Sequence, residues 1–212
     1  MDDLLIYPGY LIILLNLVLY SFSFSRKRKA NIFFMCYLAF LVLVQFSMEL
    51  IFHLGKNNLF LTNVYFIGQM VLLGLFYHAI LKSKSQKIFV LSSLSVALLA
   101  LVIQYVFDST QFLKFNLFEI TLTSLIVVIF GLLHLYNMLS EKKEYYYFTI
   151  GAVFYLLTST VLFLVGNLTI GLAQEFGLLS WRLNALLVFI YYLFILFEWK
   201  ESFNPKKEIK NN

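Results

Sequence analysis

The chain has 212 residues, 61% of them hydrophobic and only 13% charged, with a mean hydropathy of +0.85. Soluble domains hold about 45–50% apolar and about 25% charged residues, so this composition excludes an ordinary soluble fold. The net charge of +5 sits in short loops, where a basic face against anionic lipid accounts for it without nucleic acid.

A membrane-spanning helix needs about 20 apolar residues, and seven runs supply them. Residues 4–24 carry no charge. Their acidic start, MDDLLIYPGY, lacks the basic n-region of a signal peptide, and the basic cluster SRKRK follows the run. A retained anchor is expected, not a cleaved leader. Residues 30–54 carry only Glu49 and His53, and residues 59–81 only His78. Residues 88–107 carry none, and 115–139 carry Glu119 and His134. Residues 147–168 carry none, and 178–199 carry Arg182 and Glu198. The remaining 201–212 form a polar tail, expected to be disordered. Connections this short leave no room for a separate soluble module, so residues 1–200 are read as one seven-helix transmembrane domain.

The loops orient it. Of the 16 Lys and Arg residues, 13 fall in loops one, three and five and in the C-terminal tail; only Lys56, Lys114 and Arg182 fall on the other side. Positive loops stay cytoplasmic. The expected fold class is therefore all-α: a polytopic seven-helix bundle of the inner membrane, N-terminus outside and C-terminus cytoplasmic. The single Cys36 excludes an internal disulfide and reads as a buried, inert thiol within helix two. Both prolines, Pro8 and Pro205, fall at the ends. Helices two to seven thus lack proline, which lowers the case for the broken helices of many transporters. Gly68, Gly74, Gly131 and Gly151 permit close helix packing or bends.

Polar side chains inside a bilayer usually face the bundle interior. At about 100° per residue, Gln45, Glu49 and His53 form one stripe about 80° wide on helix two. On helix five, Asn116, Glu119, Thr123, His134 and Asn137 fall within about 60°. Helices three, four and six carry comparable seams, including Asn63 and Gln69, Gln104, and Thr149, Thr160 and Asn167. Sorted by depth, Gln45, Glu49, His53, Gln69, Gln104, Asn116, Glu119, Asn167 and Arg182 run from the outer side to the midplane. They define a candidate ligand pocket open to the outside, with Glu49 and Glu119 as its charged walls. His78, His134 and Asn137 form a polar cluster at the inner end, with Tyr136 and Glu198 in the same layer. The alternative is interhelical hydrogen bonding and snorkelling, which needs no ligand.

Other chemistries find less support. Glu49 and His53 at i, i+4 make half a zinc site, but His78 and His134 belong to the opposite surface and no HExxH is present. No metal site is expected. His53 beside Glu49 lacks a serine motif, so an intramembrane hydrolase is the third reading. Helix seven has no lysine for a retinal Schiff base, and no cofactor is expected.

The strings YFIGQMVLLGLFYHAIL, FNLFEITLTSLIVVIFGLLHLY and the GNL followed later by FEWK resemble those of small seven-helix bacterial integral membrane proteins. More loosely, the chain is similar to the seven-helix input domains of some histidine kinases. The resemblance points to Glu119 and Asn167 as positions to watch, although no kinase domain follows Trp199. It implies a sensor or accessory protein that takes a small polar or amphiphilic ligand and signals through a cytoplasmic or membrane partner. A small-solute or proton-coupled ion transporter is the alternative.

Overall fold

The computed structural model describes the backbone of residues 3–23, 29–169 and 174–203 and the side chains of residues 7–23, 30–168 and 179–202. Seven α-helices run in chain order: α1 (Asp3–Phe22), α2 (Lys29–His53), α3 (Leu59–Ile80), α4 (Lys84–Phe107), α5 (Leu117–Asn137), α6 (Tyr146–Thr169) and α7 (Gln174–Glu198). A 3₁₀ turn (Ser109–Leu113) joins α4 to α5, and a π-helical turn (Trp199–Phe203) extends α7. No strand occurs among the described residues. The basic cluster Arg26–Arg28 and the tail beyond residue 203 lie outside the description, so the orientation they imply is taken up below as a proposal.

Among the described residues, six helices are long and apolar enough to cross a membrane. α1 has 20 residues, with a shorter apolar stretch, Tyr7–Phe22, among its described side chains. Exposure has the pattern of a protein solvated by lipid. Asn63, Gln69, Glu119, Thr149 and Glu198 are buried, while Leu43, Val96, Leu99 and Val106 are exposed. Soluble proteins bury charge only when it is paired and rarely show such apolar faces. The helices fit a multi-pass membrane protein. Two local details depart from the sequence expectation. α4 begins at Lys84, because helix formation needs no apolar side chain and its first turn can sit beyond the apolar run. Cys36, expected to be a buried thiol, is exposed on α2.

The chain divides into two compact units, Arg28–Phe130 and a second made of Met1–Lys27 with Gly131–Asn212. In the first, α2 packs on α3 and α3 on α4. The α2–α3 core includes Phe34, Tyr37, Leu41, Leu73 and Phe76, all fully buried, with the Phe34 and Phe76 rings 5.5 Å apart. A Cβ at Gly68 would overlap the Phe40 ring, so the absent side chain admits this approach. α2 stops cleanly. Gly55 takes φ +67°, its N–H donates to the Phe52 carbonyl and the Lys56 N–H to that of Ile51, a Schellman end that satisfies the last carbonyls.

In the second unit α6 packs on α7 and α1 on α7. Buried polar contacts lock α1 to α7: Asn16 Nδ2 donates to the Tyr192 carbonyl at 2.9 Å, and Tyr20 Oη to that of Ile195 at 3.2 Å. Trp199 Nε1 donates to the Leu19 carbonyl and to Ser23 Oγ. The Tyr155 and Tyr191 rings stack 5.0 Å apart. A Cβ at Gly151 would lie 2.5 Å from Cβ of Phe194, so α6 and α7 meet there nearly backbone to backbone.

Candidate functional site

The site is built from the connection between α4 and α5. Asp108, just past the end of α4, accepts from the Thr110 N–H at 3.1 Å, the Thr110 hydroxyl at 2.7 Å and Gln111 Nε2 at 2.8 Å. These bonds nucleate the 3₁₀ turn. The Thr110 and Gln111 donors hold the Asp108 carboxyl below its ordinary value. From α3, Asn63 Nδ2 reaches the carbonyls of Gln111, Phe112 and Lys114 at 3.3, 2.8 and 3.1 Å. One buried amide thereby ties the loop to α3, adding to the bond that the Gln111 carbonyl already accepts from the Lys114 N–H.

The loop delivers Asn116 to the start of α5. Asn116 Oδ1 accepts the Glu119 N–H at 3.2 Å, and its carbonyl accepts the Ile120 N–H, the geometry of a helix N-cap. Asn116 and Gln104 also exchange amide hydrogen bonds at 3.1 and 3.2 Å, which fixes α5 against the end of α4. Asn-Leu-Phe-Glu is a capping-box sequence, in which the glutamate ordinarily turns back to the cap. Here Glu119 faces elsewhere: its Oε2 accepts the hydroxyl of Tyr105, and the Tyr105 ring packs edge-on to Phe112 at 5.5 Å. Glu119 is fully buried. Its Oε1 has no hydrogen-bond partner among the described residues, and neither has Asn63 Oδ1. Burying a carboxylate is costly unless a proton, a cation or hydrogen bonds neutralise it.

Of the residues singled out from sequence, Gln104, Asn116 and Glu119 come together here. Gln69 lies deeper on α3 and donates to Tyr37 Oη at 2.9 Å. Gln45 is half-buried on α2. Glu49 and His53 bond to each other at 2.9 Å, with the His53 side chain 62% exposed, so this pair satisfies itself at the surface. Asn167 and Arg182 belong to the other unit and are exposed. Of the expected inner cluster, half-buried His78 belongs to the first unit, and His134 and Asn137 to the second. His134 Nε2 bonds the Glu144 carbonyl at 2.8 Å, which ties the end of α5 to the turn that follows it. No group of three or more His, Cys, Asp or Glu gathers among the described residues.

Tyr105 and Asn63 complete the site but were absent from the residues chosen by depth and charge. The capping-box spacing of Asn116 and Glu119 is a signal in the sequence that could have found the site. It marks where α5 begins, and the short connection then forces the end of α4 alongside.

The second unit holds a comparable acid. Glu198 is fully buried at the end of α7. Its Oε2 accepts the N–H groups of Tyr147 and Phe148 at 2.8 and 3.4 Å, and its Oε1 the Ser202 hydroxyl at 2.6 Å. It caps the start of α6, just after Tyr145 at φ +54°.

Against protein-family models, curated proteins and solved structures, the chain finds no match.

Proposed function

We propose that the chain is a seven-span inner-membrane sensor or accessory protein that binds a small polar or amphiphilic ligand at Glu119. The seven-helix resemblance and the clustering of basic residues in alternate loops support an N-terminus outside and a C-terminus in the cytoplasm. On that topology the α4–α5 connection faces outward, and a partner at the basic face reads the signal. α1, with 20 residues, is about 30 Å long and long enough to serve as the seventh span. The observation that carries the reading is the buried Glu119 carboxylate, which has one oxygen engaged by Tyr105 and the other without a partner. An unfilled carboxylate oxygen in a buried site is costly unless a proton, a cation or a donor supplies the missing partner.

The same observation favours one further reading, a proton-coupled transporter in which Glu119 takes and releases the proton. Proton flux into liposomes separates the two: a sensor shows none, and a transporter shows flux that Glu119→Gln abolishes.

The test of the leading reading is thermal unfolding of the purified protein against a panel of metabolites and lipids, with wild type beside Glu119→Gln. A ligand at a hundred times its dissociation constant adds about 2.7 kcal/mol. A shift in wild type that the variant lacks supports the reading. No shift, with the variant as stable as wild type, contradicts it. Topology is tested by labelling cysteines placed in successive loops of a Cys36→Ser background. Labelling of the 54–58 and 108–116 loops from the cytoplasmic side would overturn the orientation.

A further inference from the structure

The unpartnered atoms around the α4–α5 connection share a sign. Asn63 Nδ2 has three carbonyl acceptors and Asn116 Nδ2 has Gln104 Oε1, so the buried amide donors here are satisfied. What remains unfilled is Glu119 Oε1 and Asn63 Oδ1, both on fully buried side chains. An amide can be turned end for end when its neighbours allow it, but Asn63 cannot be. An oxygen in place of its Nδ2 would face three carbonyl oxygens. Both leftover atoms are therefore acceptors, and the one charged group among these side chains is an anion. Lys114, the nearest base in sequence, is exposed and donates to Thr110 Oγ1 at 3.1 Å.

A ligand that matches this surplus carries donors and positive charge. A calcium ion takes six to eight oxygens and zinc about four ligands, more than two unfilled oxygens supply. An alkylammonium has three N–H donors, needs no fixed coordination shell and is attracted to aromatic faces. The Tyr105–Phe112 ring pair lies on the carboxylate's side of the turn, with the Tyr105 hydroxyl on Glu119.

We propose that Glu119, with Asn63 and the Tyr105–Phe112 pair around it, binds a protonated primary amine. This rests on the reading of Glu119 as a ligand site and narrows it to one chemical class. The amine can come from a soluble metabolite or from an aminophospholipid headgroup.

The experiment is thermal unfolding of the full chain in detergent with ethylammonium chloride, compared at equal ionic strength with sodium chloride, sodium acetate and ethanol. The same protein is then placed in nanodiscs of phosphatidylethanolamine or phosphatidylglycerol. The expected result is stabilisation by ethylammonium alone, with affinity about thirtyfold or more weaker in Glu119→Gln, since removing one side of a buried charge pair costs about 2 kcal/mol or more. Stabilisation by phosphatidylethanolamine but not by ethylammonium, lost in the variant, supports the proposal with the headgroup as source. Discrimination among probes by the wild-type protein needs no variant to fold. Glu119-dependent stabilisation by acetate or ethanol overturns the amine while leaving a ligand site at Glu119. Equal stabilisation by sodium chloride, or an ethylammonium effect unchanged in Glu119→Gln, overturns it as well. No response to any probe, with a variant as stable as wild type, overturns both the amine and the site.

Discussion

Glu119 and Glu198 are both fully buried carboxylates at helix termini, and they are held in opposite ways. Glu198 ends α7, where the helix dipole disfavours an anion, but it faces the first N–H groups of α6, where the dipole favours one. Two backbone donors and the Ser202 hydroxyl occupy its two oxygens. Glu119 lies in the first turn of α5, a favourable place for an anion, yet Asn116 already caps that helix. The carboxylate is released from capping and left with one hydroxyl donor from Tyr105. One acid closes a structure and the other leaves a valence open. Burial alone does not separate them, whereas a count of partners does.

The largest effect is expected from removing the closed acid. Glu198→Ala leaves the Tyr147 and Phe148 N–H groups and the Ser202 hydroxyl without their acceptor, a loss of about 3 kcal/mol, measurable by chemical unfolding. Glu119→Gln should change stability far less than Glu198→Ala, because the amide oxygen still accepts from Tyr105 and removal of the buried charge offsets burial of the new amide donors. Gly151→Ala tests the packing of the second unit independently of either acid. Its new Cβ meets the base of Phe194, not a flexible tip, so about 1–3 kcal/mol should be lost, again by unfolding. Asn116→Ala removes the cap of α5 and the exchange with Gln104. It should lose about 1–2 kcal/mol and loosen the seating of Glu119, seen as weaker ligand-induced stabilisation.

The smallest effect is local and depends on pH. Asp108 is held below its ordinary value by the Thr110 and Gln111 donors. A depressed carboxyl contributes its full stabilisation above its unfolded value of about 4 and loses it as pH falls through the lowered folded value. Hydrogen exchange at the Thr110 amide should therefore lose protection only on the acid side of that range. Asp108→Asn should remove this pH dependence while keeping one acceptor for the turn.

Much of the fold was legible in the sequence because lipid imposes a simple rule: about 20 apolar residues make a span. The apolar runs and the observed helices differ by no more than a few residues at each end. Gly55 and Asn116 show why the ends move, since caps and loop hydrogen bonds set the termini and hydropathy does not. The polar seams were legible in part. Phase correctly put Asn63, Gln69, Glu119, Thr149 and Thr160 on buried faces. It put Asn167 on the same face as Thr149 and Thr160, yet Asn167 is exposed, although its neighbour Gly166 is buried against Ser180. Phase also grouped Glu49 and His53 with Glu119 as equivalent ionisable groups. At i, i+4 they satisfy each other on the surface, a pairing that a search for inward-facing charge overlooks. Tyr105 was hidden among 14 tyrosines. Only the α4–α5 turn, built on Asp108 and Asn63, brings its hydroxyl to Glu119.

The most direct test is the unfolding free energy of Glu119→Gln and Glu198→Gln, measured side by side without added ligand. The account predicts that Glu119→Gln matches wild type, and that Glu198→Gln loses about 1–2 kcal/mol as charge-assisted bonds at a helix start become neutral ones. A loss in Glu119→Gln as large as that in Glu198→Gln would make Glu119 a structural acid and contradict the account.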